Sequence, residues 1–167
     1  FKDYNITNVN PVMDISKFKS GATGHLRMLD LGLRNQDRCK PFQPFILLED
    51  DVSIYREIPN IIEIPDDTDI LYVGFSPWGI KNNNKEPTGA AGREVYYTNV
   101  DDNTVKIYNM LSSHGLMICS PLGAHAYQKA LLESFYKNRH YDLNIASLQP
   151  YYNIYILKKP LVFQDPK

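Results

Sequence analysis

Cysteine is scarce in this 167-residue sequence: Cys39 and Cys119 are the whole complement. Two thiols cannot build a disulfide framework or a cysteine-based zinc site, so both are read as free or buried rather than bridged. Long apolar runs are missing too. None approaches the roughly 20 residues that a helix needs to cross a bilayer, so the chain is not expected to be membrane-spanning. Nor is there an excess of charge of either sign. A formal net charge of -1 argues against a nucleic-acid binder that works by neutralising phosphates. Internal repeats are wanting, and the one biased tract is the short run Asn82-Asn83-Asn84. What remains is ordinary for a globular protein, 43% apolar and 22% charged, and long enough for a single domain with a real core. No initiator Met precedes Phe1 and no signal peptide is seen, so the chain reads as a processed product or an excised domain. Asn5-Ile6-Thr7 fits a glycosylation sequon, a pattern frequent by chance.

Periodicity and breakers outline the elements. Residues 1–20 read as irregular, with a turn at Asn8-Val9-Asn10-Pro11. Leu26, Leu29 and Leu33 recur at helical spacing and predict a helix over about 20–35, although Gly21, Gly24 and Gly32 each weaken it by up to about 1 kcal/mol. Strands are expected at 45–48, 69–74, 115–119, 153–157 and 161–163, and a short helix or turn over 54–64. A hairpin is expected over 94–110 around Asp101-Asp102-Asn103. Ser120-Pro121 predicts a capped helix start, with Ala124, Tyr127, Leu131 and Phe135 as the buried stripe. A last helix is placed at about 143–148. Residues 76–92 form a long polar, glycine-rich loop, of the length that is usually functional or disordered. Mixed strands and helices predict an α/β domain with a mixed sheet.

The chemistry concentrates in Phe45-Ile46-Leu47-Leu48-Glu49-Asp50-Asp51-Val52. Four apolar residues read as a buried strand, and three adjacent carboxylates follow at its C-terminal end, where open α/β sheets bind ligands. A hard divalent cation such as Mg²⁺ or Mn²⁺ would offset their mutual repulsion. Strand alternation would put Glu49 and Asp51 on one face and Asp50 on the other, a Glu-x-Asp pair able to hold a cation that bridges a diphosphate. The competing reading is a polar loop or the cap of a following helix. A phosphatase of the haloacid dehalogenase type also ends a strand in acids, but its first acid must be a nucleophilic Asp, and Glu49 stands there.

Five segments in order carry a resemblance. Gly21-Ala22-Thr23-Gly24-His25-Leu26, Leu47-Leu48-Glu49-Asp50-Asp51-Val52, Asp69-Ile70-Leu71-Tyr72-Val73-Gly74, Ser113-His114-Gly115-Leu116-Met117-Ile118-Cys119-Ser120-Pro121-Leu122-Gly123-Ala124, and the pair Asp142-Leu143-Asn144-Ile145 with Pro160-Leu161-Val162-Phe163-Gln164 are similar to motifs of glycosyltransferase family 25, the lipooligosaccharide and procollagen galactosyltransferases. The likeness spans about residues 20–165. It implies a GT-A-like mixed sheet flanked by helices, a UDP- or GDP-sugar donor, a Mn²⁺ or Mg²⁺ ion at the acidic strand end, and a glycan or protein-linked hydroxyl acceptor. Relatives of this type work in the bacterial cytoplasm or the secretory pathway; the cytoplasm is favoured here. Two departures stand out. Thr23-Gly24 replaces the usual serine before the histidine. Only 20 residues precede Gly21, where the family carries a further βα unit, so that unit is expected to be lacking.

Roles follow from the resemblance and from side-chain chemistry. Asp51 is assigned to the metal with Glu49 as second ligand, and Asp50 to ribose or sugar hydroxyls. Asp142 is the candidate general base of an inverting hexosyl transfer, against a helix-capping role. His114 is placed in the donor–acceptor cleft as a ligand or sugar contact, and His25 beside the acids as their support or as packing. Trp78, in the loop 76–92, is the candidate sugar-stacking residue of a lid. His125 is expected in solvent, and the tyrosines mostly in packing. The alternative function is a non-catalytic glycan-binding or scaffolding domain that kept the fold.

Overall fold

A computed structural model describes residues 6–10, 17–75, 89–90 and 93–164. In chain order the elements are α1 (Lys17–Arg34), β1 (Phe45–Leu48), β2 (Val52–Ile54), β3 (Ile70–Tyr72), β4 (Gly74–Phe75), β5 (Tyr96–Asn99), β6 (Thr104–Tyr108), β7 (Gly115–Ile118), α2 (Pro121–Lys137), α3 (Tyr141–Leu148), β8 (Ile154–Leu157) and β9 (Val162–Gln164). Six strands make one mixed sheet in the order β1-β7-β3-β8-β6-β5, parallel only between β3 and β8. A second, three-stranded sheet runs β2-β9-β4.

The two-residue period of the strands divides the apolar residues between two faces. Ile70 and Tyr72 of β3, with Leu47, Leu116, Ile118, Ile154 and Ile156, pack under the three helices against Ala22, Leu29, Tyr127, Leu131 and Ile145. Leu71, Val73, Tyr155 and Leu157 face the other way, toward Leu161, Val162 and the segment carrying Ile58, Ile62 and Ile64. Asp69 joins the layers: its buried carboxylate takes the Ser120 hydroxyl at 2.6 Å and the Asn153 amide at 3.0 Å. Ser120 in turn caps α2 by accepting from the Gly123 N–H at 2.9 Å. Another buried tie is Gln149, which holds both backbone groups of Met110 and reaches the Tyr72 hydroxyl at 3.2 Å.

Several expectations change. β1 is not a fully buried strand but the sheet's outer strand, paired on one side by β7, with Ile46 exposed. No helix forms over 54–64: β2 pairs with β9, and the chain then runs irregularly to β3 with Ile58, Ile62 and Ile64 tucked beneath the sheet. The first helix begins at Lys17, earlier than its apolar stripe predicts, and α3 begins at Tyr141. Tyrosine is less uniformly packed than expected, since Tyr55, Tyr96, Tyr97, Tyr136 and Tyr151 are exposed. Trp78 and most of the loop 76–92 lie outside the described residues. The end of that loop is tied down where Ala90 N–H meets the Asn109 carbonyl at 2.9 Å.

Two glycines give opposite expectations. A Cβ on Gly123 would come within 2.0 Å of the Asp69 carbonyl oxygen, whereas one on Gly24 meets nothing within 4 Å among the described residues. Overpacking against backbone costs about 1–3 kcal/mol, so Gly123→Ala should lower Tm by roughly 3–10 °C. Gly24→Ala removes a helix-interior glycine and should raise Tm by about 2–4 °C. Thermal unfolding followed by circular dichroism checks both.

Candidate active site

Just beyond β1 the three acids part company. Glu49 continues the alternation from Leu47 and faces the helices, its N–H bonded to the His114 carbonyl at 2.9 Å. Its Oε1 lies 2.8 Å from the Tyr141 hydroxyl, which donates to it, and 3.2 Å from His25 Nε2. Tyr141 also lies 2.9 Å from His25 Nε2, and the Tyr127 hydroxyl lies 2.5 Å from His25 Nδ1. His25 is buried at 4% exposure, whereas the Glu49 side chain keeps 24%. Burial alone would push the Glu49 carboxyl up, but its contacts with His25, Tyr141 and the nearby His114 outweigh this and hold it below the ordinary carboxylate range. Burial, then the Glu49 charge, pushes both phenols well up, so each keeps its proton to donate.

Asp50 lies in a turn and is exposed. Asp51 goes to the opposite layer: its Oδ2 accepts from the Gln164 amide of β9 at 3.0 Å, and its Oδ1 is sealed from solvent. The shared face expected for Glu49 and Asp51 is therefore not formed, because β1 ends at Leu48 and the turn at 50–51 hands the chain to the second sheet. His114 sits behind both acids at 1% exposure, with Nδ1 3.0 Å from Ser112 Oγ and with Nε2 unpartnered among the described residues. Burial lowers its pKa, against the charges of Glu49 and Asp51. It supports the acids from within and does not line the cleft, contrary to its expected place. Asp142 occupies the first turn of α3, where Oδ1 takes the Leu143 N–H at 2.7 Å. It is not the capping residue, a position His140 fills without a side-chain bond. Burial, with the Glu49 charge, raises the Asp142 pKa.

A cavity of about 1050 Å³ runs along β1 and α1, walled by Met28, Leu31, Phe45, Ile46 and Leu48 and ending at His25, Glu49, Asp50 and Asp51. Tyr141 and Gln164 also reach it, while Asp142 and His114 do not. As for a cation, no group of three or more His, Cys, Asp or Glu is gathered closely enough to hold one by itself among the described residues. The donor set fits an ion shared with a ligand: Asp50 is open, and Glu49 Oε2 has no partner among the described residues. Tyr127, Tyr141 and Gln164 are the site residues that sequence reasoning missed. A buried tyrosine needs a partner for its hydroxyl, a signal present in the placement of Tyr127 on the buried stripe. Comparisons with protein-family profiles, curated proteins and solved structures return no match for this chain.

The opposite shifts of Glu49 and Asp142 set opposite pH dependences. The fold favours ionised Glu49, so its contribution is present above the ordinary carboxylate pKa and is lost as pH falls through the lower folded value. Glu49→Gln should therefore cost about 1–3 kcal/mol at pH 6–7, and the gap should narrow as pH falls below the ordinary carboxylate range. Asp142 is held against ionisation, so Asp142→Asn should stabilise at pH 7 and change nothing in strong acid. Urea unfolding of the three proteins from pH 3 to pH 7 measures both.

Proposed function

We propose that this chain is a metal-dependent hexosyltransferase domain related to glycosyltransferase family 25. It would move a hexose from a UDP- or GDP-sugar to a hydroxyl on a glycan or a protein-linked acceptor, with inversion. The observation that carries the reading is the Glu49 carboxylate, held ionised by His25 and Tyr141 at the end of a cavity large enough for a nucleotide. The donor's diphosphate lies toward the acids, and its nucleoside along the apolar wall of β1 and α1. Glu49 and the exposed Asp50 would be the residues to hold a Mn²⁺ or Mg²⁺ ion together with that diphosphate, while Asp51 is engaged by Gln164. The ion would serve as a Lewis acid for the leaving phosphate.

Asp142 is the base. Burial beside Glu49 raises its proton affinity, which suits it to take the acceptor's proton as the oxygen attacks the anomeric carbon. Asp142 does not line the donor cavity, so the acceptor hydroxyl would have to meet it at that cavity's margin, beside Tyr141. Trp78 and the loop 76–92, which lie largely outside the described residues, remain the candidates for a sugar-stacking lid. A non-catalytic glycan-binding domain is the second reading, favoured by the engagement of Asp51 with Gln164 and the burial of His114.

Thermal shift with UDP or GDP, each with and without Mn²⁺, tests the proposal. Nucleotide and metal together should stabilise by more than the sum of either alone, and Glu49→Gln or Asp50→Asn should abolish the excess. Asp142→Asn should keep that excess yet lose about 10²–10⁴-fold in transfer rate. No excess with any nucleotide, alongside stabilisation by oligosaccharide alone, would sink the enzyme and leave the binding domain.

A further inference from the structure

Each of the three helices contributes one side chain to a buried polar knot at the end of β1, and hydrogen-bond bookkeeping fixes its protons. Tyr127 is fully buried, and His25 Nδ1 at 2.5 Å is the partner of its hydroxyl among the described residues. A buried phenol proton requires an acceptor, so Nδ1 accepts and the ring proton sits on Nε2. The reverse tautomer fails twice. It would strand the Tyr127 proton, and it would set a bare Nε2 lone pair against Glu49 Oε1 at 3.2 Å, acceptor facing acceptor. With the proton on Nε2, His25 donates toward Glu49 Oε1 and the Tyr141 oxygen, while Tyr141 donates its own proton to Oε1 at 2.8 Å. One carboxylate oxygen thus receives two donors, and Oε2 receives none among the described residues.

We propose that Tyr127 and Tyr141 are positioning residues: they lock His25 with its proton on Nε2, and through it they turn Glu49 so that only Oε2 is offered to a ligand in the cavity. Tyr127 acts at two removes, through His25. That this ligand is a cation shared with a nucleoside diphosphate rests on the function proposed above, whereas the tautomer lock does not. Hydrogen-bonded partners behind a ligating group tune affinity by about 10–100-fold, the size expected here.

The test has two arms. Long-range ¹H–¹⁵N spectra of the wild-type protein should show His25 protonated at Nε2 with Nδ1 as a hydrogen-bonded acceptor, and Tyr127→Phe, which removes only the hydroxyl, should move the Nδ1 resonance toward that of an unbonded lone pair while Glu49 keeps the proton on Nε2. A wild-type ring protonated at Nδ1, or an Nδ1 resonance in Tyr127→Phe unchanged from wild type, overturns the lock. The wild-type spectrum decides this even if the variant does not fold. In the second arm, calorimetric titration with UDP and Mn²⁺ should show binding about 10-fold weaker in Tyr127→Phe and in Tyr141→Phe than in wild type, with UDP alone unaffected. Equal affinities in wild type and variants overturn the positioning role. Binding that fails in wild type as well overturns the glycosyltransferase reading instead, and the spectra then decide the lock by themselves.

Discussion

Everything at this site depends on how one carboxylate is kept charged while partly withdrawn from water. Desolvation opposes ionisation of Glu49, and the structure answers with hydrogen bonds from two side chains rooted in separate helices, His25 in α1 and Tyr141 in α3. Because a third helix supplies Tyr127 behind His25, the helical layer is registered on the sheet edge by polar contacts as well as by the apolar packing of Leu29, Tyr127 and Leu131. Such a knot is stable only when every member is satisfied, which ties the placement of the helices to the chemistry of the acid.

The same constraint revises why three acids can follow one another. Adjacent negative charges suggest a bound cation as their remedy, yet the fold relieves the repulsion first by separation. Glu49 turns to the helices, Asp50 to water and Asp51 to Gln164 of β9. Buried His114 adds a polar group whose pKa burial lowers, against the charges of Glu49 and Asp51. A cation would therefore meet a site with one oxygen of Glu49 and the carboxylate of Asp50 ready, and Asp51 held back.

Much of this architecture was readable from residue pattern alone. The strands, the hairpin around Asp101-Asp102-Asn103 and the Ser120-Pro121 helix start all follow from local rules, because alternation, turn residues and caps act over a few positions. Misreadings came where distant contacts decide. The run 45–48 looks buried from its composition but is an outer strand, since the number of neighbours of a strand is a property of the sheet. The segment 54–64 has isoleucines near helical spacing, yet Ile58, Ile62 and Ile64 pack from an irregular chain under the second face, while Ile54 and Ile61 are exposed. Gly21 and Gly32 argued against a helix that forms anyway, because Tyr141 and the Phe45 ring lie against them. Among the site residues, Glu49, Asp50 and His25 were found from charge and position. Tyr127 and Tyr141 were hidden because their function lies in hydroxyl contacts with His25, 102 and 116 residues away along the chain.

Crystals grown with UDP and Mn²⁺, with diffraction collected at the manganese edge, test the central claim most directly. The account predicts an anomalous peak between the diphosphate and Glu49 Oε2, with Asp50 turned toward it and Oε1 still bonded to Tyr141 and His25. Manganese found elsewhere, or a nucleotide bound away from the end of β1, would contradict it.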